Sequence, residues 1–304
     1  MVLGLLMAGA VAASTRARRA ARVADGEAGL SAAADDAAYG VLQGAAGAEL
    51  ADLPLGRATL YDISDSAARG VDVRVAVTRL PANLLWIVAD AVTTPAFEAE
   101  RRVNLVAAFP VAGRAPPAAI VSRGNVSLGA RVQLIPDAGG DADCATTGAP
   151  DVVIAPGARA SADVGLRIET RDAASDSSTY LLTARQLELL RGRPGVAYVA
   201  GDTTLAGGSI DGILIVGGTL TITGAVSVTG LVIAGWAVHA TGAAPTVTGG
   251  LMAFGPPGVV GDTTADTIVL TAGTIHYAPC VVARALRRAA PPKPLRDRGW
   301  IELF

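Results

Sequence analysis

GILIVGGTLTITGAVSVTGLVIAG, residues 212–235, places glycines at Gly212, Gly218, Gly224 and Gly230, six positions apart each time. Between them run short segments rich in β-branched residues: Ile213–Val216, Leu220–Ile222 and Val226–Val228. Three such hexads make a larger repeat. Val196 to Ile213 is 17 positions, Ile213 to Leu231 is 18, and Leu231 to Leu251 is 20 with Pro245 in the excess. A fixed period of this kind marks a solenoid. Glycine lets the chain turn a corner where a Cβ is excluded, and the run between corners forms one face of a coil. Stacked rungs then bury a column of Leu, Ile and Val that no single rung could bury. The pattern predicts a β-helix of three to four rungs over residues 196–279, with Gly212, Gly218, Gly224 and Gly230 as structural corners. Short strands with glycine turns also describe a β-sandwich, and periodicity alone leaves that architecture open.

Composition agrees with an aliphatic, small-residue protein. Among 304 residues there are 36 glycines, 17% charged and only 4% aromatic residues, and the mean hydropathy is +0.44. That length holds a sizeable core and two domains. A net charge of −2 offers no basic face for nucleic acid.

Upstream of the repeat, Met1–Ser14 (MVLGLLMAGAVAAS) is an uncharged apolar run. It falls short of the ~20 residues that span a bilayer and has no basic segment ahead of it, as a secretory signal would. Beyond STRARRAAR, residues 14–22, the apolar positions Val23, Leu30, Ala34, Ala37 and Val41 step by 7, 4, 3 and 4. Those steps give one face of a helix. From Arg57 to Pro110 the spacing changes to two: Val71, Val73, Val75 and Val77 share one face while Asp72 and Arg74 take the other. That is a half-buried antiparallel strand, and Leu84–Val92 and Arg101–Phe109 follow it as further strands. The helix needs such a sheet as partner for its apolar stripe.

The segment ARVADGEAGLSAAADDAAYGVL, residues 21–42, resembles the helix of type IV pilus assembly proteins of the PilX type and of type II secretion minor pseudopilins. The finish Arg298–Leu303 (RGWIEL) and the rung-like Ser122–Gly129 (SRGNVSLG) are similar to features of the same proteins. The family's basic leader, Gly-Phe-type cleavage site and membrane helix with an early glutamate are not visible at the start of this chain, which points to a start codon further upstream. The resemblance implies an α+β fold: a pilin-like N-terminal helix with an antiparallel β meander, then the short β-helix. The expected organisation is a remnant membrane segment and helix (1–50), a β head (51–117), a rung-like strand with an Asp/Cys loop and capping helix (118–195), the β-helix (196–279) and a Pro/Arg tail with a docked apolar end (280–304). It implies a structural, non-catalytic minor pilin-like subunit of a type IV pilus or secretion pseudopilus. Its partners would be other pilins or pseudopilins and inner-membrane assembly proteins, with membrane contact through the N-terminal helix. Its place would be the inner membrane with a periplasmic head, or a cell-surface pilus. A secreted β-helix protein for surface or carbohydrate binding is the alternative.

Few residues point to chemistry, and no catalytic residue, cofactor or metal site is expected. Asp137, Asp141 and Asp143 stand near Cys144, but their spacing misses two side-chain ligands of a calcium loop, and a solvated acidic turn explains them. Cys144 and Cys280 are the only cysteines. In an exported protein an even, minimal count reads as one disulfide, worth about 4–5 kcal/mol in the chain-entropy model. A zinc site would need His239 and His276 to join them, from separate rungs. Asp202 and Asp211 flank the array as turn residues rather than as the paired carboxylates of a glycosidase. The Thr219–Thr223 stretch, TLTIT, has the Thr-Xaa-Thr pattern of ice-binding solenoids, which the next rung, with Trp236 and His239, does not repeat. A cytoskeletal stack of bare β-helices would lack the 195 residues that precede Val196.

Overall fold

A computed structural model describes residues 2–44, 46–64, 71–81, 83–93, 100–109, 116–136, 149–162, 165–171, 190–254, 266–290, 292–295 and 300–302. The chain divides into two units, Met1–Ala108 with Pro292–Phe304, and Phe109–Pro291.

In the first unit, α1 (Val2–Gln43) is followed by α2 (Ala46–Asp52) and by four strands, β1 (Ala58–Ser64), β2 (Val71–Leu80), β3 (Leu84–Thr93) and β4 (Glu100–Ala108). They form an antiparallel sheet in sequence order. Asn83, with φ of 59°, sits in the tight connection of β2 to β3, a left-handed conformation that Asn tolerates better than most residues. Among the described side chains of α1, the buried ones all lie in its last part. Leu30, Ala34, Ala37, Ala38, Val41 and Leu42 are buried, at the spacing of one helical face. They meet β2, β3 and β4, whose inward residues include Val75, Val77, Leu85, Ile87 and Leu105. Arg101 holds Glu27 of α1 at 2.7 Å. The buried Arg79 donates from Nη1 to the Leu53 carbonyl at 2.9 Å, tying the end of β2 to the turn after α2.

The second unit is a parallel coil. Val196–Val199 (β10), Ile213–Val216, Leu231–Ala234 and Leu251–Ala253 stack on one face. Thr203–Leu205, Leu220–Ile222, β13 (Val238–Ala240) and Ile268–Leu270 stack on a second. Gly207–Asp211, Ala225–Thr229, Thr246–Gly249 and Thr274–Tyr277 stack on a third. Three of the long strands, β11 (Thr203–Val216), β12 (Leu220–Ala234) and β14 (Thr246–Ala253), turn corners without breaking. Leu220, Ile222, Val226 and Val228 point into the coil and are buried. The last step is 19 rather than 20, because Val232, not Leu231, pairs with Leu251.

The rungs do not stop where the repeat stops. β5 (Ile120–Ser122) pairs parallel with Leu251–Ala253, and β6 (Asn125–Ile135) with β15 (Asp266–Tyr277). β7 (Val152–Ile154) and β8 (Ala160–Ala162) stack on those, and β9 (Ile168–Thr170) on β7. Stack order is therefore 196–277 and then 120–170, a permutation of sequence order. Ser122 and Thr267, both buried, join their hydroxyls across the seam.

This overturns the expected fold class. The chain is mostly β, at 55% strand and 21% helix, so α+β does not describe it. The first unit is not a single helix with a meander. A second helix intervenes, and the sheet has six strands because β16 (Lys293–Pro294) and β17 (Trp300–Glu302) pair with β4 from the far end of the chain. Nor are the rungs limited to three or four, since β5–β9 extend the stack. Of those rungs only Ser122–Gly129, at the junction of β5 and β6, was expected as rung-like; the others lack the glycine period and are separated by irregular insertions, so parallel pairing reveals them. Ile268–Tyr277 is an internal rung, with β6 stacked on it.

Two kinds of corner fill the glycine positions. Gly212 and Gly230 have φ of +125° and +138°, and a Cβ on either would strike the carbonyl of the rung before. Gly218 and Gly224 have no positive φ, but a Cβ there would strike Asp202 and the Ala206 carbonyl respectively. The first face is apolar on both sides. Leu214, Val216, Val232 and Leu251 look into the coil. Ile213, Ile215, Leu231, Ile233 and Met252 look outward and are covered by α3 (Pro279–Ala289) through Val282, Ala285, Leu286 and Ala289. Burial on both sides is why these strands read as unbroken hydrophobic runs.

Candidate interaction surfaces

Among the described residues the coil interior is filled by apolar side chains. Between Leu205, Leu220, Val228, Val247, Leu270 and Ile275 it leaves only about 10 Å³ of free space, at the limit for one water and without a polar partner for it. Among the described residues no group of three or more His, Cys, Asp or Glu could hold a metal. Asp202 spends its carboxylate on the Thr219 amide at 2.7 Å, bridging two rungs at a corner. Asp211 meets Arg288 of α3 at 3.3 Å in an exposed pair. His239 lies in β13 on the second face and His276 in β15 on the third, so the coil separates them. Glu169 pairs with Arg171 at 2.7 Å, and that hydrogen bond holds its carboxyl below the usual range. Asp137, Asp141, Asp143 and Cys144 lie outside the described residues, as does 183–189, the body of the expected capping helix. Cys280 stands at the start of α3, and no cysteine among the described residues is free.

The outer residues of the third face form two polar columns. Ser209, Ser227, Thr246, Thr274 and Gln133 are in register. Beside them run Asp211, Thr229, Thr248, His276 and Ile135. On the second face, Thr221 has Thr204 on one side and His239 on the other, so the TLTIT threonines are not part of a longer array. Sequence inspection passed over the third-face columns because the step from Ser227 to Thr246 is 19, which hides the alignment.

The first unit carries the second candidate surface, the face of its sheet turned away from α1. Antiparallel sheets with one buried face normally alternate to polar residues on the other. Here Ala58, Thr78, Trp86 and Val106 form one outward row, with Leu295 donating its amide to Val106 at 3.0 Å. Leu60, Ala76, Val88 and Asn104 form the next, with Asn104 buried at the β4 end. Leu60 is 64% exposed, Trp86 43%, and Val92 and Leu295 41% each. The third row is charged and alternates in sign across the sheet: Asp62, Arg74, Asp90, Arg102. Arg74 meets Asp62 at 3.0 Å and Arg102 meets Asp90 at 2.5 Å. This surface was readable in part. β3, LLWIVADAVT, is apolar at both parities, with Leu84, Trp86 and Val88 outward and Leu85, Ile87 and Ala89 inward, which is not the pattern of a strand with one wet face.

Comparison with protein-family models, with curated proteins and with solved structures found no match.

Proposed function

We propose that this chain is a non-catalytic structural subunit of the minor pilin or pseudopilin kind. Its N-terminal helix would join a type IV pilus or secretion pseudopilus together with other pilins and inner-membrane assembly proteins. Its β-coil would project as the periplasmic or cell-surface head.

One observation carries the reading. α1 runs for 42 residues, about 63 Å at 1.5 Å per residue, yet among its described side chains none before Leu30 is buried. Thr15–Ala21 and Val23–Gly29 expose their side chains. A helix this long is not held by propensity alone and draws its stability from packing against something else. A partner helix, as in a fibre core, meets that need. Among the described residues no helix is long and apolar enough to cross a membrane, so the reading rests on the helix as an assembly element. The polar outer positions of the coil, and the use of Asp202 and Asp211 in structural contacts, support a head without catalysis.

The test is fractionation of the native organism with an antibody against the coil. Co-purification with sheared fibres, or with the inner membrane together with pilin-type proteins, is the expected result. Recovery of the chain only as a free soluble or secreted species overturns the proposal.

The column of Ser209, Ser227, Thr246 and Thr274 hydroxyls on the third face favours a second reading, a secreted or surface-bound coil that docks polysaccharide. Retention on immobilised glycans, lost in a Ser227→Ala/Thr246→Ala variant of unchanged melting temperature, would select it.

A further inference from the structure

We infer that the outer sheet face of the first unit is the contact between two copies of this chain, packed face to face about a two-fold axis that runs parallel to the strands. Exposed apolar patches of this kind mark interaction sites, and a large aromatic such as Trp86 is the usual anchor of one. The inference does not depend on the fibre reading.

What selects a second copy as occupant is the charge order. Across the sheet the row reads Asp62, Arg74, Asp90, Arg102, that is, minus, plus, minus, plus. A two-fold axis along the strands reverses the row from left to right. Asp62 of one copy then faces Arg102 of the other, and Arg74 faces Asp90, so every charge meets its opposite. A two-fold axis across the strands and through this row would set each charge against its own kind. A two-fold contact requires a self-complementary patch, and this row is self-complementary in one orientation only.

The dimensions are adequate for a weak dimer. The axis overlaps β1–β4, and four strands about 4.8 Å apart and about 24 Å long give roughly 460 Å² of face per copy. The pair then buries about 920 Å², the size of a weak, transient contact. Stacked sheets cross at about 30°, an offset of a few ångströms at the row ends that the long Arg74 and Arg102 side chains span. The expected dissociation constant is in the range of roughly tens of micromolar.

The test uses sedimentation velocity on the full-length chain and two paired reversals. D62R/R74D and D90R/R102D each keep the ion pair made within one chain but set like charges opposite each other at positions 74 and 90, so each should fold with a modestly lower melting temperature than the parent. Each turns all four cross-copy contacts into like-charge contacts, and dimerisation should fall by tenfold or more. Mixed one to one, the two variants restore every opposite pairing and should form a heterodimer of about the parent's affinity. Trp86→Ala should weaken the parent dimer by a similar factor. The inference is overturned if the parent stays monomeric up to about 1 mM, if either variant still dimerises alone, or if the mixture does not associate. Failure of the fibre test leaves all three outcomes readable.

Discussion

Replacing Gly230 with alanine puts one methyl group where the coil has no place for it. Gly230 closes the corner between the third and first faces with φ of +138°, in a region that residues with a Cβ enter only at a cost of about 1–3 kcal/mol. The added Cβ also points at the Gly212 carbonyl oxygen of the rung below, well inside contact distance. Neither side can yield, because that carbonyl belongs to a ladder in which Gly212, Gly230 and Gly249 lie in register. Backbone strain and steric displacement together should cost about 3–5 kcal/mol. For a unit of roughly 180 residues that corresponds to a fall of about 6–20 °C in the melting temperature. Thr221→Ala is the control. Its half-exposed side chain lies on the outer side of the second face, and its loss should stay within about 0.5 kcal/mol. Thermal unfolding followed by circular dichroism separates the two. A Gly230→Ala variant that melts within about 2 °C of the Thr221→Ala variant would refute the corner argument, and with it the claim that close rung stacking selects glycine.

Leu286 is buried between α3 and the first face, so Leu286→Ala should cost about 2–5 kcal/mol, whereas Arg284→Ala on the exposed side of the helix should cost about 0.5 kcal/mol or less; chemical denaturation of both variants decides it. Burial first, and the Glu49 carboxylate second, hold the Tyr61 phenol above its usual value, against a Thr59 hydrogen bond that lowers it. Because the folded value is raised, this contribution to stability is complete below pH ~10 and is lost as the pH rises through the folded value; ultraviolet titration of Glu49→Gln should show the phenol ionising at lower pH than in the parent. If the head is exported, Cys144 and Cys280 are paired, and thiol labelling of the native protein without reductant should find no free thiol. Two labelled cysteines would refute that pairing, while Cys144→Ser should lower stability by up to about 4–5 kcal/mol.

The parts of the fold that were legible in the sequence are those where one local constraint acts on every rung. A corner that excludes Cβ selects glycine, so Gly212, Gly218, Gly224 and Gly230 announce the coil. A strand buried on both sides admits no polar residue, so Ile213–Val216 and Leu231–Ala234 read as continuous apolar runs. α3 left a signal that went unread: Pro279 at the helix start, then Val282, Ala285, Leu286 and Ala289 at helical spacing. Proline at the first helical position is a start signal, but the following Arg and Pro residues suggested a linker. The mostly β character was missed for a different reason. Short rungs such as Val152–Ile154 and Ala160–Ala162 have three residues each, too few to show a period.

The permuted stacking left no trace in the sequence, because nothing local sets it. Ile120–Ser122 adds to Leu251–Ala253 through backbone hydrogen bonds, which any sequence can make, and the choice of edge is tertiary. The edge itself explains the choice. When the fourth rung ends at Tyr277 and the chain leaves as α3, Leu251, Ile268, Leu270 and Ile275 face the core and would meet water with nothing stacked on them. Ile120, Val126, Leu128 and Val132 continue those apolar columns. The earlier segment thus covers the apolar end that the later repeat leaves open. Its register is pinned by the buried hydroxyls of Ser122 and Thr267, and by Tyr277, whose hydroxyl donates to the Pro116 carbonyl just before β5. Polar groups are costly to leave without a partner once buried, and a slip of one residue would break the contacts that Thr267 and Tyr277 make with this segment. The apolar columns make stacking favourable, and the polar contacts choose the register in which it occurs.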